Sequence, residues 1–252
     1  MSSSVFSAAD SGTSVLAVSI PVDQIPDLLI PAFVDTVIMV GIVMAIVLVV
    51  GVPLGALIHN LAPGGLFPNR KLHVPLSWVI SIGRSVPFLV LMTAIIPFTR
   101  LLTGTNIGIP AAVVPMSIAG IAFFTRIVEN SLRSVPTEVI DVARAAGGSP
   151  LQIIASAQIP EALPSIVGGL TINTIAMIEY STIAGTIGAG GLGYIAVTYG
   201  YQRFDHGVMI ATIVALVVTV ALIQVAGDAL VRRLTPALAR TSTPIRQKEL
   251  VS

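Results

Sequence analysis

The chain has 252 residues, of which 54% are hydrophobic and only 10% are charged, whereas soluble domains contain about 25% charged residues. This composition, with a mean hydropathy of +0.95, indicates a membrane protein and excludes an ordinary soluble domain. The sequence contains no cysteine, which excludes disulfides and cysteine-based metal or nucleophile chemistry. Its net charge of +1 does not by itself indicate any class of binding partner.

The first 30 residues contain no lysine or arginine and include three acids, Asp10, Asp23 and Asp27. A secretory signal peptide would begin with basic residues and continue into a longer apolar run than residues 15–20 provide, so we predict none. We expect residues 1–30 to form an extracytoplasmic N-terminal segment, with a disordered tip followed by a short stretch on the membrane surface.

Five apolar stretches follow, and a membrane-spanning helix needs about 20 such residues. We place the spans at residues 32–58, 76–98, 109–124, 163–187 and 208–230. The predicted fold class is an all-α polytopic membrane protein with five transmembrane helices, whose membrane domain covers residues 31–235. No internal repeat is evident, which argues against secondary transporters built from inverted repeats.

The first span contains a proline between two glycines, in the order Gly51, Pro53 and Gly55. Glycines four residues apart allow a close contact with another helix, and a proline within a helix allows a kink. Of these two roles, we expect the kink.

The distribution of positive charge predicts the orientation of the five spans. An odd number of spans places the termini on opposite sides of the membrane, and cytoplasmic segments are enriched in Lys and Arg. With the N-terminus outside, ten such residues fall on the cytoplasmic side and only two, Arg100 and Arg203, on the other. The ten are Arg70, Lys71, Arg126, Arg133, Arg144, Arg232, Arg233, Arg240, Arg246 and Lys248. This orientation makes residues 236–252 a cytoplasmic tail and also places residues 135–160 in the cytoplasm.

Residues 135–160, here called the polar segment, form the longest polar interval between the spans. Pro136 suits the first position of a helix, and Gly147 with Gly148 should stop that helix. Ser149 and Gln152 have the spacing of a capping box that starts a second helix. We expect Pro160 to end this second helix. The segment carries more apolar side chains than a solvated loop, so another surface should cover it.

Two other interpretations of the polar segment remain at this stage. It could be an ordinary helix pair packed on its own domain, or a DNA-reading helix-turn-helix. The second has little support, because the charges of the segment nearly cancel and no basic face exists for phosphates. We therefore expect no nucleic-acid partner.

The chain offers no site for catalysis or cofactor binding. A phosphate-binding loop requires Gly-Lys-Ser/Thr, but neither Lys71 nor Lys248 follows a glycine, so any ATP hydrolysis must belong to a partner and the chain is no enzyme. Gly188, Gly190 and Gly193 spell G-x-G-x-x-G, yet they follow a membrane span rather than a strand, so we expect turn and packing roles instead of dinucleotide binding. The histidines are too scattered for a metal site.

A carboxylate within a membrane span is costly and normally faces a cavity or a partner. Glu179 in the fourth span is such a group, and it could contact the amine of a substrate or pair with Arg84 from the second span. Together with the neighbouring Tyr180, these residues are our candidates for a substrate pathway. As a proton or ion relay, Arg84 and Glu179 would instead indicate a stand-alone channel or secondary carrier.

The polar segment resembles the cytoplasmic coupling loop of ABC importer permeases, whose pattern is E-A-A, three residues, G, nine residues, I-x-L-P. The matching positions are Asp141, Ala143, Gly147, Ile159 and Pro160. The departures are Asp141 for Glu, Val142 for Ala, Ala157 for Ile and Ile159 for Leu. Each departure keeps the charge type or a small-to-medium apolar character.

Further stretches resemble the methionine-uptake family of these permeases in particular, and they extend from about residue 30 to residue 235. They are FVDTV at 33–37, GRSVPF at 83–88, IPFTR at 96–100, RIVE at 126–129, and the glycine-rich run 185–204. Glu179 departs from the family, in which this position is usually small. An ABC permease for another small solute, such as a quaternary ammonium osmolyte, therefore stays an alternative.

The resemblance implies a homodimer in the bacterial inner membrane, surrounded by lipid, with the translocation path at the interface between the two subunits. Two ATPase subunits would bind ATP and Mg²⁺, so this chain itself would need no cofactor, and an extracytoplasmic binding protein would deliver D- or L-methionine. Asp141, Ala143 and Gly147 would lie in a cleft of the ATPase. Ile159 and Pro160 would set the angle at which the chain returns to the fourth span.

Overall fold

The computed structural model describes residues 20–235, and within this range the regular structure is entirely helical. The α-helices, in chain order, are α1 (Ile25–Leu61), α2 (Arg70–Ser85), α3 (Phe88–Ala94), α4 (Ile96–Thr103), α5 (Ile109–Arg133), α6 (Thr137–Ala145), α7 (Pro150–Ile153), α8 (Ile159–Ala184), α9 (Gly191–Ile195) and α10 (His206–Leu234). This agrees with the all-α prediction. The disordered tip and the whole cytoplasmic tail that we predicted lie outside the described residues.

Four helical stretches are long and apolar enough to cross a membrane, and they contain α1, α5, α8 and α10. The second predicted span, residues 76–98, is wrong as a single helix, because α2 and α3 meet at an angle of 103°. The break lies at Val86 and Pro87. A residue before proline is pushed towards extended backbone, and Val86 indeed has φ −84° and ψ 125°. Counted together, α2 and α3 give the fifth span.

Among the helices that extend beyond the predicted spans, α1 and α5 do so by the greatest length. α1 begins at Ile25 rather than at residue 32, with Pro26 in its first turn, a position where the missing N–H of proline does no harm. α5 continues to Arg133 rather than ending at residue 124. Its last two turns are polar, but they stay helical because oppositely charged side chains three and four residues apart pair on the helix surface.

α1 and α5 pack closely at the two glycines of the first span. A Cβ atom at Gly55 would lie 2.6 Å from the Cβ of Val128, and one at Gly51 would lie 3.0 Å from Cδ1 of Phe124. Such distances leave no room for a side chain at Gly55. Of the two roles that the sequence allows, the structure shows the close contact, and α1 continues through Pro53 to Leu61.

The core lies between α1, α5 and α8. Its largest fully buried apolar side chains include Met39, Val43, Val47, Met116, Phe124, Val128 and Met177. Gly120 of α5 allows α1 and α8 to pack closely on α5, because a Cβ atom there would lie 2.8 Å from Val47 and 3.1 Å from Met177. α10 packs on α8, where Gly227 faces Thr171 and Gly168 faces Val231.

The bundle has two distinct ends. The polar segment lies at the end where α1, α5 and α10 finish and α8 begins, and the glycine-rich run 185–204 lies at the opposite end. In that run Gly188 and Gly190 have φ of 95° and 85°, which favours glycine. A Cβ atom at Gly193 would lie 2.3 Å from the backbone of Thr182. The predicted turn and packing roles of G-x-G-x-x-G are therefore confirmed.

Asp205 closes the end of the bundle opposite the polar segment. Its Oδ2 accepts a hydrogen bond of 2.6 Å from the backbone N–H of Ile20, and its Oδ1 accepts one of 3.1 Å from the N–H of Val208 at the start of α10. These backbone donors, Ile20 first, hold the pKa of the buried carboxyl below its ordinary value of 3.8, because they stabilise the charged form.

We expect Asp205→Asn to lower the unfolding temperature in detergent at pH 7. A depressed pKa stabilises the fold above the unfolded pKa, and this stabilisation is lost as the pH falls through the folded value. The difference between the wild type and the variant should therefore shrink below about pH 4. The matched control is Asp23→Asn, an exposed aspartate near the same end, which should unfold like the wild type. An Asp205 difference that stays constant from pH 7 to pH 3 would contradict this assignment.

Candidate functional site

The polar segment folds as two short helices joined by a glycine turn. α6 begins at Thr137, directly after Pro136, whose ψ of 136° makes it the residue before the helix rather than the first helical residue. Gly147, with φ +79°, ends the turn after α6. The structure therefore confirms the predicted end of the first helix at Gly147 and Gly148.

The start of α7 also follows the predicted capping chemistry. The backbone N–H of Ser149 donates a hydrogen bond of 2.9 Å to Oε1 of Gln152, and Pro150 occupies the first turn. The capping box that the spacing predicts is present.

The predicted end of this second helix at Pro160 is wrong. The chain passes from α7 through a π-helical turn, Ile154–Gln158, directly into α8, and Pro160 lies in the first turn of α8. Within an α-helix a proline ring would collide with the carbonyl four residues earlier. The wider π turn that precedes it relieves this conflict, so the helix continues through Ile159 and Pro160 into the bundle.

The outer surface of the polar segment carries large apolar side chains that no part of the described chain covers. Val142 and Leu151 are 71% and 76% exposed, while Asp141 is exposed beside Arg144, with 3.9 Å between Oδ1 and Nη1. A concave cavity of about 510 Å³ lies between α6, α7 and the π turn. It is lined by Ala143, Ala146, Gly148, Gln152, Ile153, Ala155 and Ser156. Exposed apolar groups around a concavity are typical of a protein interaction site.

An ion cluster around a buried carboxylate lies at the end of the bundle that carries the polar segment. Glu129 is 1% exposed and accepts hydrogen bonds from Arg126, at 2.5 Å, and from Arg133, at 2.9 Å. Arg126 also donates to the carbonyl of Ser77, at 3.1 Å, and to Oγ of Ser81, at 2.9 Å, so the cluster joins α5 to α2. This cluster was not predicted from the sequence, although the spacing of three and four residues between these charges is a usable signal.

The structure brings two of the three pathway candidates together. Arg84 and Tyr180 line one cavity of about 170 Å³ between α2, α3, α5 and α8. The Tyr180 ring stacks on Phe88 with 4.3 Å between centroids and 2° between planes. The guanidinium carbon of Arg84 lies 5.6 Å from the centroid of Phe123, within the range of a cation–π contact.

Glu179 lies on α8 beside this cavity but does not line it. Its side chain is exposed in the subunit, and among the described residues neither Glu179 nor Arg84 has an ion-pair partner. The Arg84–Glu179 pair that the sequence allows is therefore not formed within the subunit. Residues 20–235 also contain no cluster of His, Asp and Glu that could bind a metal ion.

Comparisons with known proteins agree with this architecture. The family described as binding-protein-dependent transport system inner membrane component matches residues 51–240. A probable D-methionine transport system permease protein MetI of Vibrio cholerae is 48% identical over 207 residues, which cover 82% of this chain and 92% of that protein. The corresponding protein of Pasteurella multocida is 40% identical over 187 residues, covering 74% and 86%.

A solved structure of the MetNI methionine ABC transporter in an inward-facing conformation has a chain with the same fold. Its TM-score is 0.83 at 40% identity, with coverage of 85% of this chain and 99% of that chain. An amino acid ABC transporter that is 21% identical, with a TM-score of 0.67, shows the shared fold alone. The chain therefore belongs to the binding-protein-dependent transport system inner membrane component family, and it is a multi-pass permease subunit of an ABC importer rather than an enzyme.

Proposed function

We propose that this chain forms the translocation path of an ATP-driven methionine importer, as a dimer that couples to two ABC ATPase subunits through its polar segment. The observation that carries the proposal is the exposed helix, glycine turn and helix, whose apolar residues Val142 and Leu151 have no cover within the described chain. An ATPase surface would supply that cover. ATP and Mg²⁺ bind to the ATPase, and this chain needs no cofactor of its own.

Coupling in this proposal is a two-state equilibrium. ATP binding closes the ATPase pair, and the closed pair must bind one orientation of the polar segments more tightly than the other, because only differential affinity shifts an equilibrium. Asp141, Ala143 and Gly147 lie on the exposed side or at the turn, where they would contact the ATPase. Ile159 and Pro160, next to the π turn, carry the movement into α8.

The positive charges support an orientation with the polar segment in the cytoplasm. Seven of the described Lys and Arg residues lie towards the end of the bundle that carries this segment: Arg70, Lys71, Arg126, Arg133, Arg144, Arg232 and Arg233. Arg100 and Arg203 lie towards the other end. Cytoplasmic enrichment of Lys and Arg therefore assigns the glycine-rich end to the outside, where an extracytoplasmic binding protein would contact it.

The substrate assignment is based on the relatives. The Vibrio and Pasteurella proteins are named for D-methionine transport, and similarity over most of the chain supports the same substrate class here. Arg84 and Tyr180 share a cavity, and Glu179 is exposed beside it. We assign these three residues to the substrate pathway at the dimer interface, since an intramembrane carboxylate exposed on one subunit must face a partner, water or substrate.

Assembly is tested by co-purification of the tagged chain with its partner ATPase. We expect a complex of two permease and two ATPase subunits, measured by native mass, and ATP hydrolysis that rises when the binding protein and methionine are added. A chain that purifies alone and moves solute without ATP would contradict the proposal and favour a secondary carrier.

We expect Glu179→Gln to change the rate or selectivity of uptake more than the amount of protein in the membrane. The reason is that Glu179 has no ion-pair partner within the described part of the subunit. Removing its negative charge therefore breaks no ion pair that stabilises the fold. Uptake of labelled methionine, competed by other amino acids and by betaine, measures the effect per milligram of permease. The control is Glu161→Gln, an exposed glutamate in the first turn of the same helix. A large loss of membrane protein with unchanged uptake per molecule would indicate a structural role instead.

A further inference from the structure

A pair of buried amides joins the polar segment to the end of α1. Nδ2 of Asn60 donates a hydrogen bond of 2.9 Å to Oε1 of Gln158, and Nε2 of Gln158 donates one of 3.1 Å to Oδ1 of Asn60. The two residues are 0% and 2% exposed, although 98 positions separate them in the chain. Reciprocal hydrogen bonds of this kind satisfy each buried amide with the other.

Asn60 is itself fixed by several further contacts. Its Nδ2 also donates to the carbonyl of Ala56 at 2.9 Å, and its Oδ1 accepts from the N–H of Leu66 at 3.4 Å. Its backbone carbonyl accepts from the N–H of Phe67 at 3.2 Å. Gly65 packs directly on it, since a Cβ atom there would lie 2.3 Å from the Asn60 carbonyl oxygen. Asn60 therefore holds the last turn of α1 and the loop after it as one unit.

Gln158 occupies the point at which the polar segment becomes α8. It is the last residue of the π turn Ile154–Gln158, and isolated π turns often mark functional positions in helices. The other side-chain hydrogen bonds of the segment are internal, such as those of Ser149 and Ser156 with Gln152. Within residues 20–235, the Asn60–Gln158 pair is the only side-chain hydrogen-bonded connection from the polar segment to another helix of the bundle.

Separating the two amides would leave buried donors and acceptors without partners. Such groups lose their hydrogen bonds without gaining bonds to water, so the pair resists opening. A displacement of the polar segment should therefore be transmitted to the end of α1. From there it reaches α5 through the close contact at Gly51 and Gly55.

We propose that Asn60 and Gln158 form a joint that stays closed during transport and carries the movement of the polar segment into α1. This inference depends on the coupling role proposed above. The two residues are positioning residues, because they contact neither substrate nor nucleotide in this proposal. A movement of the polar segment is thus transmitted to two helices, directly to α8 and through the amide pair to α1.

The test uses the double variant Asn60→Leu/Gln158→Leu in the complex with the ATPase and binding protein. Replacing both amides by apolar side chains removes the donors and acceptors of the pair together. Only the N–H of half-buried Leu66 loses an acceptor, at 3.4 Å, so we expect near-normal amounts of assembled complex. Methionine transported per ATP hydrolysed should fall at least about fivefold, the low end of typical coupling between distant sites. A structural role alone would lower the amount of complex but leave this ratio unchanged.

A covalent replacement of the joint gives a second measurement. Because the chain has no cysteine, the variant Asn60→Cys/Gln158→Cys can be linked by a short reagent with two thiol-reactive groups, such as a bis-maleimide, without other thiol reaction on this subunit. We expect the unlinked variant to have the low transport ratio and the linked variant to recover it. The wild-type complex treated with the same reagent controls for reaction with cysteines of the partner subunits.

The outcomes separate this inference from the proposed function. Failure of the wild-type complex to take up methionine with ATP would contradict the proposed function itself. If the wild type transports and the leucine double variant keeps the wild-type ratio, the joint is not needed and the inference is overturned. Linking the cysteine pair without recovery, or with a further loss of uptake, would likewise overturn it, because the joint would then have to open.

Discussion

Gly147→Asp should reduce ATP-driven uptake to the level measured without ATP, while the permease dimer remains folded. Gly147 has φ +79° and no atom of the described chain lies within 4 Å of a Cβ atom built there. The substitution therefore adds backbone strain but no clash within the subunit. Its main effect should fall on the partner, because a charged side chain at the tight turn would enter the surface where the ATPase binds. Uptake into vesicles and the amount of membrane dimer are the two measurements.

Gly104→Asp is the matched control for this prediction. Gly104 ends α4 with φ +76°, and it also has open space around a Cβ atom, so it bears the same strain far from the polar segment. We expect near wild-type uptake from this control. Equal loss of uptake in both variants would show that strain, rather than contact with the ATPase, causes the Gly147 effect.

Glu129→Gln should lower the free energy of unfolding by about 3 kcal/mol, the low end of the range for breaking a buried ion pair. Glutamine keeps the volume but removes the charge that both Arg126 and Arg133 face. Arg126 would keep its bonds to Ser77 and Ser81 and remain mostly buried without a counter-charge. Urea or thermal unfolding of the purified permease in detergent measures the loss.

Asp141→Asn removes the same charge from an exposed pair and serves as the control for unfolding. Its partner Arg144 is 57% exposed and Asp141 is 70% exposed, and such surface pairs contribute about 0–1 kcal/mol. A Glu129 variant that unfolds like the Asp141 variant would contradict the view that the buried charge of Glu129 stabilises the fold.

Features encoded by neighbouring residues were predictable from the sequence. Composition and the length of the apolar runs indicate the membrane class and most of the spans. A helix satisfies its own backbone hydrogen bonds, and it needs about 20 apolar residues to cross the hydrocarbon core. The helix stop at Gly147 and the cap formed by Ser149 and Gln152 depend on residues within one turn. These local signals were enough to identify the shape of the polar segment and its family resemblance.

The predicted helix boundaries were wrong where hydropathy and helicity differ. α5 remains helical beyond its apolar part because the charges around Glu129 pair along its surface. At Pro160 the sequence suggests a stop, but the π turn before it lets the helix continue into α8. At Pro87 the opposite error occurred, because a single apolar run contains a sharp break.

Contacts between distant residues could not be predicted. Asn60 and Gln158 are separated by 98 positions, and neither has a local pattern that indicates the other. The same is true of Arg84 and Tyr180, which share a cavity only because α2 and α8 converge. The role of Gly55 also depends on which helix it faces, since the sequence alone permits either a contact or a kink.

ATP-dependent uptake of labelled methionine into vesicles tests the central claim most directly. The vesicles contain this chain, its partner ATPase and the binding protein on the extracytoplasmic side, with other amino acids and betaine as competitors. We expect uptake that requires ATP hydrolysis and is reduced only by forms of methionine. Methionine uptake that proceeds equally without ATP, or no methionine uptake by an assembled complex that hydrolyses ATP, would contradict it.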